Sequence, residues 1–397
     1  MLDTVFSILI GLGSFVAVLS LVVFVHEYGH YRVAKSLKVA IEKFSIGFGP
    51  QLFARTAKDG VLWRIGALPL GGYVKFSGDL DESSFGSQEI TEEAKAKNYF
   101  YAKPVWVRAL VSVAGPLANF VFAILVFSFF FMGFGETFQK PYVAKIEPNS
   151  AAAHSQLQIG DIIVAVNGKE MSGAQDLRRT ILTAGGQQLT LKVKREDAEV
   201  LVPIVPKIVQ RETPFGDMES QGLIGVGFGD RKQDIAHVSY NPIQAVGRSF
   251  ERCGEIVSVQ IKFIGALFRG AMSAGHLSGP LGIAQTAGMV ANGSLNNLPD
   301  TATVFDRLGN LALSLIELAA FLSIAVGFMN LLPLPILDGG HLVFYAIEAI
   351  RGKPVSENIQ LISYKVGFVC LMMLFVFATF QDLDRFGLFN GVKAIAN

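Results

Sequence analysis

Long uncharged apolar runs, separated by shorter stretches of mixed polarity, dominate the chain. A helix needs about 20 apolar residues, at about 1.5 Å each, to cross a bilayer core. Four runs meet that need: residues 5–34, 105–134, 308–332 and the shorter 364–380, where Lys365 can snorkel to the interface. Between the second and third runs the pattern changes. Strand-like runs at 143–146, 161–167 and 189–194 alternate with one helical run at 174–183, which predicts a small β-rich domain with a helix. Residues 239–269 interleave apolar positions such as Ile243, Val246, Phe250 and Ile264 with Arg248, Glu251, Arg252 and Glu255. That pattern fits one or two amphipathic helices, on a membrane surface or packed against the spans. Nearer the N-terminus, residues 44–53 and 62–76 are rich in aromatics, β-branched residues and glycines, which predicts paired strands with sharp bends. They suit a hairpin dipping into the membrane and one lying on its surface equally well. The polar stretch 77–97 reads as a mobile loop.

The pattern predicts a multi-span α-helical membrane protein with four transmembrane helices, a membrane-associated β element and an inserted small β-rich domain. In order, these are a first span (1–36), a loop with the β element (37–103), a second span (104–135) and the inserted domain (136–230). Amphipathic membrane-surface helices and linker (231–305), a third span (306–345), and a fourth span with its tail (346–397) complete the chain. Composition agrees: 51% of residues are hydrophobic, only 17% are charged, and mean hydropathy is +0.43. A soluble protein carries nearer a quarter charged residues. The net charge of +1 argues against nucleic acid as a partner. Cys253 and Cys370 are far apart and imply neither a disulfide framework nor a cysteine zinc site. The Met-Leu-Asp start lacks the basic region of a secretory signal, so the first run reads as an uncleaved span. Arg32, Lys35, Lys38 and Lys43 follow that span, and Lys95, Lys97, Lys103 and Arg108 precede the second. The positive-inside rule then puts the 35–104 loop in the cytoplasm and the 135–306 region opposite.

Candidate chemistry begins with His26-Glu-Tyr-Gly-His30, which closes the first apolar run. Ionisable groups near lipid need a compensating partner. Positions four apart on a helix share a face, so His26 and His30 can address one cation. Glu27, about 100° round the helix, can reach a water on that cation without binding the metal. The plain structural alternative is a pair of histidines hydrogen-bonded at a helix end. Hydrolytic zinc keeps three protein ligands and an open position. Position 36, where a further histidine would extend the motif, is Ser36. The third ligand must therefore come through space, and Asp338 fits. It lies in Asn330-Leu-Leu-Pro-Leu-Pro-Ile-Leu-Asp-Gly-Gly-His341, where Pro333 and Pro335 break the third helix and Gly339 and Gly340 let the chain turn. A helix-end cap is the bland alternative for Asp338. Asn330 suits either holding a substrate backbone or oxyanion, or tying helices together. Asn119, in Gly115-Pro-Leu-Ala-Asn119, reads as helix–helix glue at a Gly-Pro kink. Glu317, His276 and His341 read as structural or surface groups.

HEYGH, GPLAN and NLLPLPILDGGH together resemble the site-2 proteases, a family of intramembrane zinc metalloproteases. Residues 139–230 resemble a PDZ domain, from Ile146-Glu-Pro-Asn-Ser-Ala-Ala-Ala153 through Leu157-Gln-Ile-Gly-Asp-Ile-Ile-Val-Ala-Val-Asn-Gly168. The combination is similar to the bacterial regulator of sigma-E protease branch, with one recognisable PDZ copy where well-known members have two. The resemblance implies that His26, His30 and Asp338 bind Zn2+, Glu27 is the general base, and Asn330 helps hold the substrate. It also implies that residues 44–76 pair with substrate as an added strand. Implied partners are the lipid bilayer, single-span membrane substrates such as an anti-sigma factor, and a peptide C-terminus at Gly222–Phe228. The implied location is the bacterial inner membrane, with the PDZ-like domain outside the cytoplasm. A membrane metal transporter and a catalytically silent PDZ-bearing scaffold are the alternatives from other classes.

Overall fold

A computed structural model describes residues 2–77, 91–171, 173–196, 198–212, 218–229, 235–269, 279–296, 298–299 and 301–385. The chain opens with α1 (Leu2–Ser36), strands β1 (Ile41–Thr56) and β2 (Leu62–Phe76), α2 (Glu92–Ala96) and α3 (Val105–Gly133). There follow β3 (Glu136–Gln139), β4 (Val143–Ile146), β5 (Ile162–Val166), β6 (Lys169–Glu170), α4 (Ala174–Thr183), β7 (Leu189–Arg195) and β8 (Ala198–Ile204). Next come β9 (Lys207–Glu212), β10 (Met218–Leu223), β11 (Val226–Phe228) and β12 (Ile235–Val238). Helices α5 (Pro242–Phe268), α6 (Pro280–Asn296), α7 (Val304–Asn330), α8 (Asp338–Arg351) and α9 (Glu357–Arg385) follow. Leu9–Ser36, Val105–Gly133, Val304–Asn330 and Glu357–Asp384 are long and apolar enough to cross a membrane. Of the polar loop expected at 77–97, residues 78–90 lie outside the described residues, whereas Glu92–Ala96 is helical, capped by the Thr91 side chain.

The chain forms two compact units. The first comprises Met1–Phe127, Arg248–Gln260 and Ala274–Asn397. Small residues let its helices approach closely, as packing between apolar helices in lipid requires. A Cβ on Gly29 of α1 would lie 2.4 Å from the Ala114 carbonyl of α3. Gly11 of α1 meets Gly288 of α6 in the same way, at 3.1 Å. Helix α6 was expected as part of a surface segment and linker. Instead it packs along α1 and α7 through a stripe of small residues, Ala287, Gly288, Ala291 and Ser294. The third helix breaks at Pro333 and Pro335 as expected: α7 stops at Asn330, and α8 begins anew at Asp338.

Strands β1 and β2 form the bent hairpin that the glycines predicted. Residues 41–46 pair with both 62–65 and 72–76, while 53–56 pair with 62–65, so two long strands make four ribbons. Gly47 has φ +82°, and a Cβ on Gly66 would sit 2.5 Å from the Phe48 carbonyl, so neither bend admits a larger residue unstrained. The hairpin seats on α1 through Phe44, stacked on Trp63 at 4.2 Å and edge-on to Tyr31. Asp59 in its turn accepts from Tyr31 Oη at 2.7 Å and Lys35 Nζ at 2.6 Å.

The second unit, Ser128–Gly247 with Ile261–Ser273, holds the β-rich part of the mixed-polarity region. Its sheet runs β6-β5-β7-β8, with the separate pairs β11-β4, β10-β9 and β12-β3. Alternate residues of β7 (Leu189, Leu191, Val193) point inward, with Ile163, Leu177 and Val202, to form the core. The fully buried Asp161 receives Arg195 Nε and Nη2, each at 2.8 Å. Residues 239–269 give a single helix, α5, opened by an Asn241–Gln244 capping box and Pro242. Its Ile243, Phe250, Val259 and Ile261 remain exposed.

Candidate metal centre

The imidazoles of His26 and His30 share one face of α1, and their Nε2 atoms are 3.2 Å apart. Asp338 completes the cluster, with Oδ2 3.2 Å from His26 Nε2 and Oδ1 3.5 Å from His30 Nε2. One ligand atom from each residue fits within a 4.8 Å span. Asp338 arrives there because the chain between α7 and α8 folds back on itself. A Cβ on Gly339 would lie 2.3 Å from the Leu332 carbonyl, and one on Gly340 2.3 Å from that of Leu334. At the first position of α8, the carboxylate also faces the positive end of a helix dipole. Further along α8, Glu348 accepts from Arg108 Nη2 of α3 at 2.6 Å, and Arg108 lies 5.0 Å over the Tyr345 ring.

Helix α3 orients the rings. His30 Nδ1 donates to the Val111 carbonyl at 2.8 Å, so its Nε2 presents a lone pair to the Asp338 carboxylate. Two acceptors facing each other in a largely buried site call for a cation between them. A set of two imidazoles and one carboxylate suits zinc and leaves a position open. Only hydrogen fits at Gly115 of α3, where a Cβ would be 2.2 Å from His30 Nε2. Glu27 faces the hairpin: its carboxylate takes the Val74 backbone N–H, and a Cβ on Gly72 would touch its Cγ at 3.0 Å.

The model of peptidase family M50 matches residues 14–374. The chain belongs to peptidase family M50. An Agrobacterium fabrum protein bearing a zinc metalloprotease name is 38% identical over 374 residues, covering 93% of this chain and 94% of its own. A similarly named Brucella suis protein is 38% identical over 381 residues, covering 95% and 96%. Metalloprotease MmpA of Caulobacter vibrioides is 34% identical over 400 residues, covering 98% of each chain. This M50 member is a zinc metalloprotease.

Other residues singled out in the sequence lie outside the three-residue cluster itself. Asn330 ends α7, is half-buried, and makes no side-chain hydrogen bond among the described residues. Glu317 is exposed on α7, and His276 lies outside the described residues. His341 Nδ1 meets Tyr364 Oη at 3.2 Å. Sequence reasoning missed the Arg108–Glu348 pair, for which the only signal was a charge on each of two apolar helices. It missed the Val111 carbonyl too, because a backbone group has no signature. Asn119, read as glue between helices, places its amide 3.3 Å from His26 Nδ1.

Proposed function

We propose that this M50 zinc metalloprotease is an intramembrane endopeptidase. Its metal ligands are His26, His30 and Asp338, and its general base is Glu27. The observation that carries the reading is the convergence of three ligand atoms within 4.8 Å at the end of an apolar helix. Zinc, when bound, lowers the pKa of a coordinated water to about 7 and polarises a carbonyl. Glu27 takes the proton from the attacking water and passes it to the leaving amine. The Val74 N–H and the close Gly72 backbone hold Glu27 in place for that transfer. Val111 fixes the His30 tautomer.

A peptide bond inside a helix is shielded by its own hydrogen bonds, so the substrate must unwind. Residues 72–76 pair with β1 on one edge only, among the described residues, and the other edge runs beside Glu27. A substrate strand added there satisfies the freed backbone groups and passes the reacting centre. Asn330 holds the substrate backbone from the end of α7. The substrates are single-span, membrane-anchored regulators of the anti-sigma factor kind, cut in regulated intramembrane proteolysis. The enzyme sits in a bacterial inner membrane, its basic 35–104 loop inside. The second unit is a PDZ-like domain on the other side, where it filters substrates that still carry bulky domains. A peptide C-terminus binds at Gly222–Phe228, a role supported by β11, which among the described residues pairs only with β4.

Co-expression with candidate single-span proteins, followed by sequencing of the fragments, tests the reading. Cleavage within the transmembrane segment, abolished by Glu27→Gln, is expected. Zinc uptake into vesicles that survives Glu27→Gln without proteolysis would show a transporter. Partners bound but never cut would show a scaffold.

A further inference from the structure

His26 has to bind metal through Nε2, the nitrogen that faces Asp338 and His30. A neutral imidazole carries one proton, so Nδ1 must then be the N–H and needs an acceptor. The group beside Nδ1 is the amide of Asn119 on α3, at 3.3 Å. Asn119 is fully buried, and its Oδ1 has no hydrogen-bond partner among the described residues. With the amide nitrogen toward His26, two donors would oppose each other while the oxygen stays unused. The two ends of an amide have the same shape, and a half-turn about Cβ–Cγ exchanges them in place. We infer that Asn119 is the positioning residue for His26, its side-chain oxygen accepting the Nδ1–H of the metal-binding tautomer.

The neighbouring geometry supports this role. His30 is held through Nδ1 by the Val111 carbonyl, also on α3, at 2.8 Å. One helix thus orients both rings, His30 through its backbone and His26 through a side chain. Helix α7 backs Asn119 from the other side. Ser323 Oγ donates to the Asn119 backbone carbonyl at 3.2 Å, and a Cβ on Gly327 would lie 3.1 Å from the Asn119 Cβ. Asparagine acting only as glue between helices accounts for neither the orphan oxygen nor its place beside Nδ1.

The inference rests on the metal-site reading, and the experiment separates the two. Zinc affinity is measured by chelator competition on the detergent-purified full chain, wild type against Asn119→Leu and Asn119→Asp. Visible spectra of the cobalt-loaded proteins report the ligand field directly. Leucine has the same branched heavy-atom skeleton, though bulkier methyl ends, and no acceptor, so it should weaken zinc binding about 10–100-fold and shift the cobalt bands. Aspartate keeps an acceptor and should restore both toward wild type. If leucine prevents folding, Asn119→Ala gives the same comparison. Wild-type affinity in the leucine variant, or equal losses with leucine and aspartate, overturns the inference. A wild-type chain that takes up no zinc defeats the metal-site reading itself.

Discussion

At His26 and His30, the chemistry turns on which ring nitrogen keeps its proton. A carbonyl at Nδ1 makes Nε2 a lone-pair donor, and Val111 supplies one for His30. Glu27 differs from them, because it lies beside the imidazole pair and also against the hairpin backbone. Glu27→Gln keeps the shape and the Val74 hydrogen bond but cannot accept a proton. It should lower kcat/KM by about 10²–10⁴-fold while leaving zinc content unchanged. Metal analysis beside a cleavage assay checks this, and loss of zinc in the variant would contradict it. Residues of this kind were readable because their spacing carries the geometry: His26 and His30 share a helix face whatever surrounds them. Their supports were not readable. Val111 acts through its backbone, and Asn119 acts through a neighbour 93 positions away.

Among the elements, α8 decides whether Asp338 reaches the histidines. Its start is fixed by the glycines that let the Leu331–Leu337 segment fold onto it, and its later turns by Arg108 and Glu348. That pair is largely buried, with side chains 14% and 15% exposed. Removing one partner of a buried ion pair costs about 3–5 kcal/mol. Glu348→Gln should therefore destabilise the first unit, and it should also weaken zinc binding by loosening α8. Thermal unfolding and zinc titration of the purified variant test both effects. Unchanged affinity would mean that the glycine-lined turn alone places Asp338. The spans were legible from apolar length, and the break after Asn330 from Pro333 and Pro335. Helix α6 escaped notice because its buried stripe is made of glycine, alanine and serine, which resembles linker composition more than a packing face.

Across the whole chain, the two units depend on different physics, and pH should separate them. In the second unit, burial pushes the Asp161 carboxyl up. The Arg195 guanidinium and the Gln158 N–H outweigh it, holding the group below its ordinary 3.8. A carboxyl depressed in the folded state adds stability that is full above its unfolded value, and loses it as pH falls. The second unit should thus weaken below about pH 4. Asp161→Ala should cost about 1–3 kcal/mol at neutral pH and flatten that dependence. Hydrogen exchange in β5 and β7 across the acid range checks both, and protection indifferent to pH in the wild type would contradict them. This unit was legible strand by strand because inward and outward residues alternate cleanly along β7. In the first unit, α1 and the turn before α8 bring His26, His30 and Asp338 together. X-ray absorption at the zinc edge of the purified chain tests their proposed metal binding most directly. Two imidazole nitrogens and a carboxylate oxygen at about 2.0–2.2 Å are predicted, with the carboxylate lost in Asp338→Ala. An unchanged spectrum in that variant, or a zinc-free wild type, would contradict it.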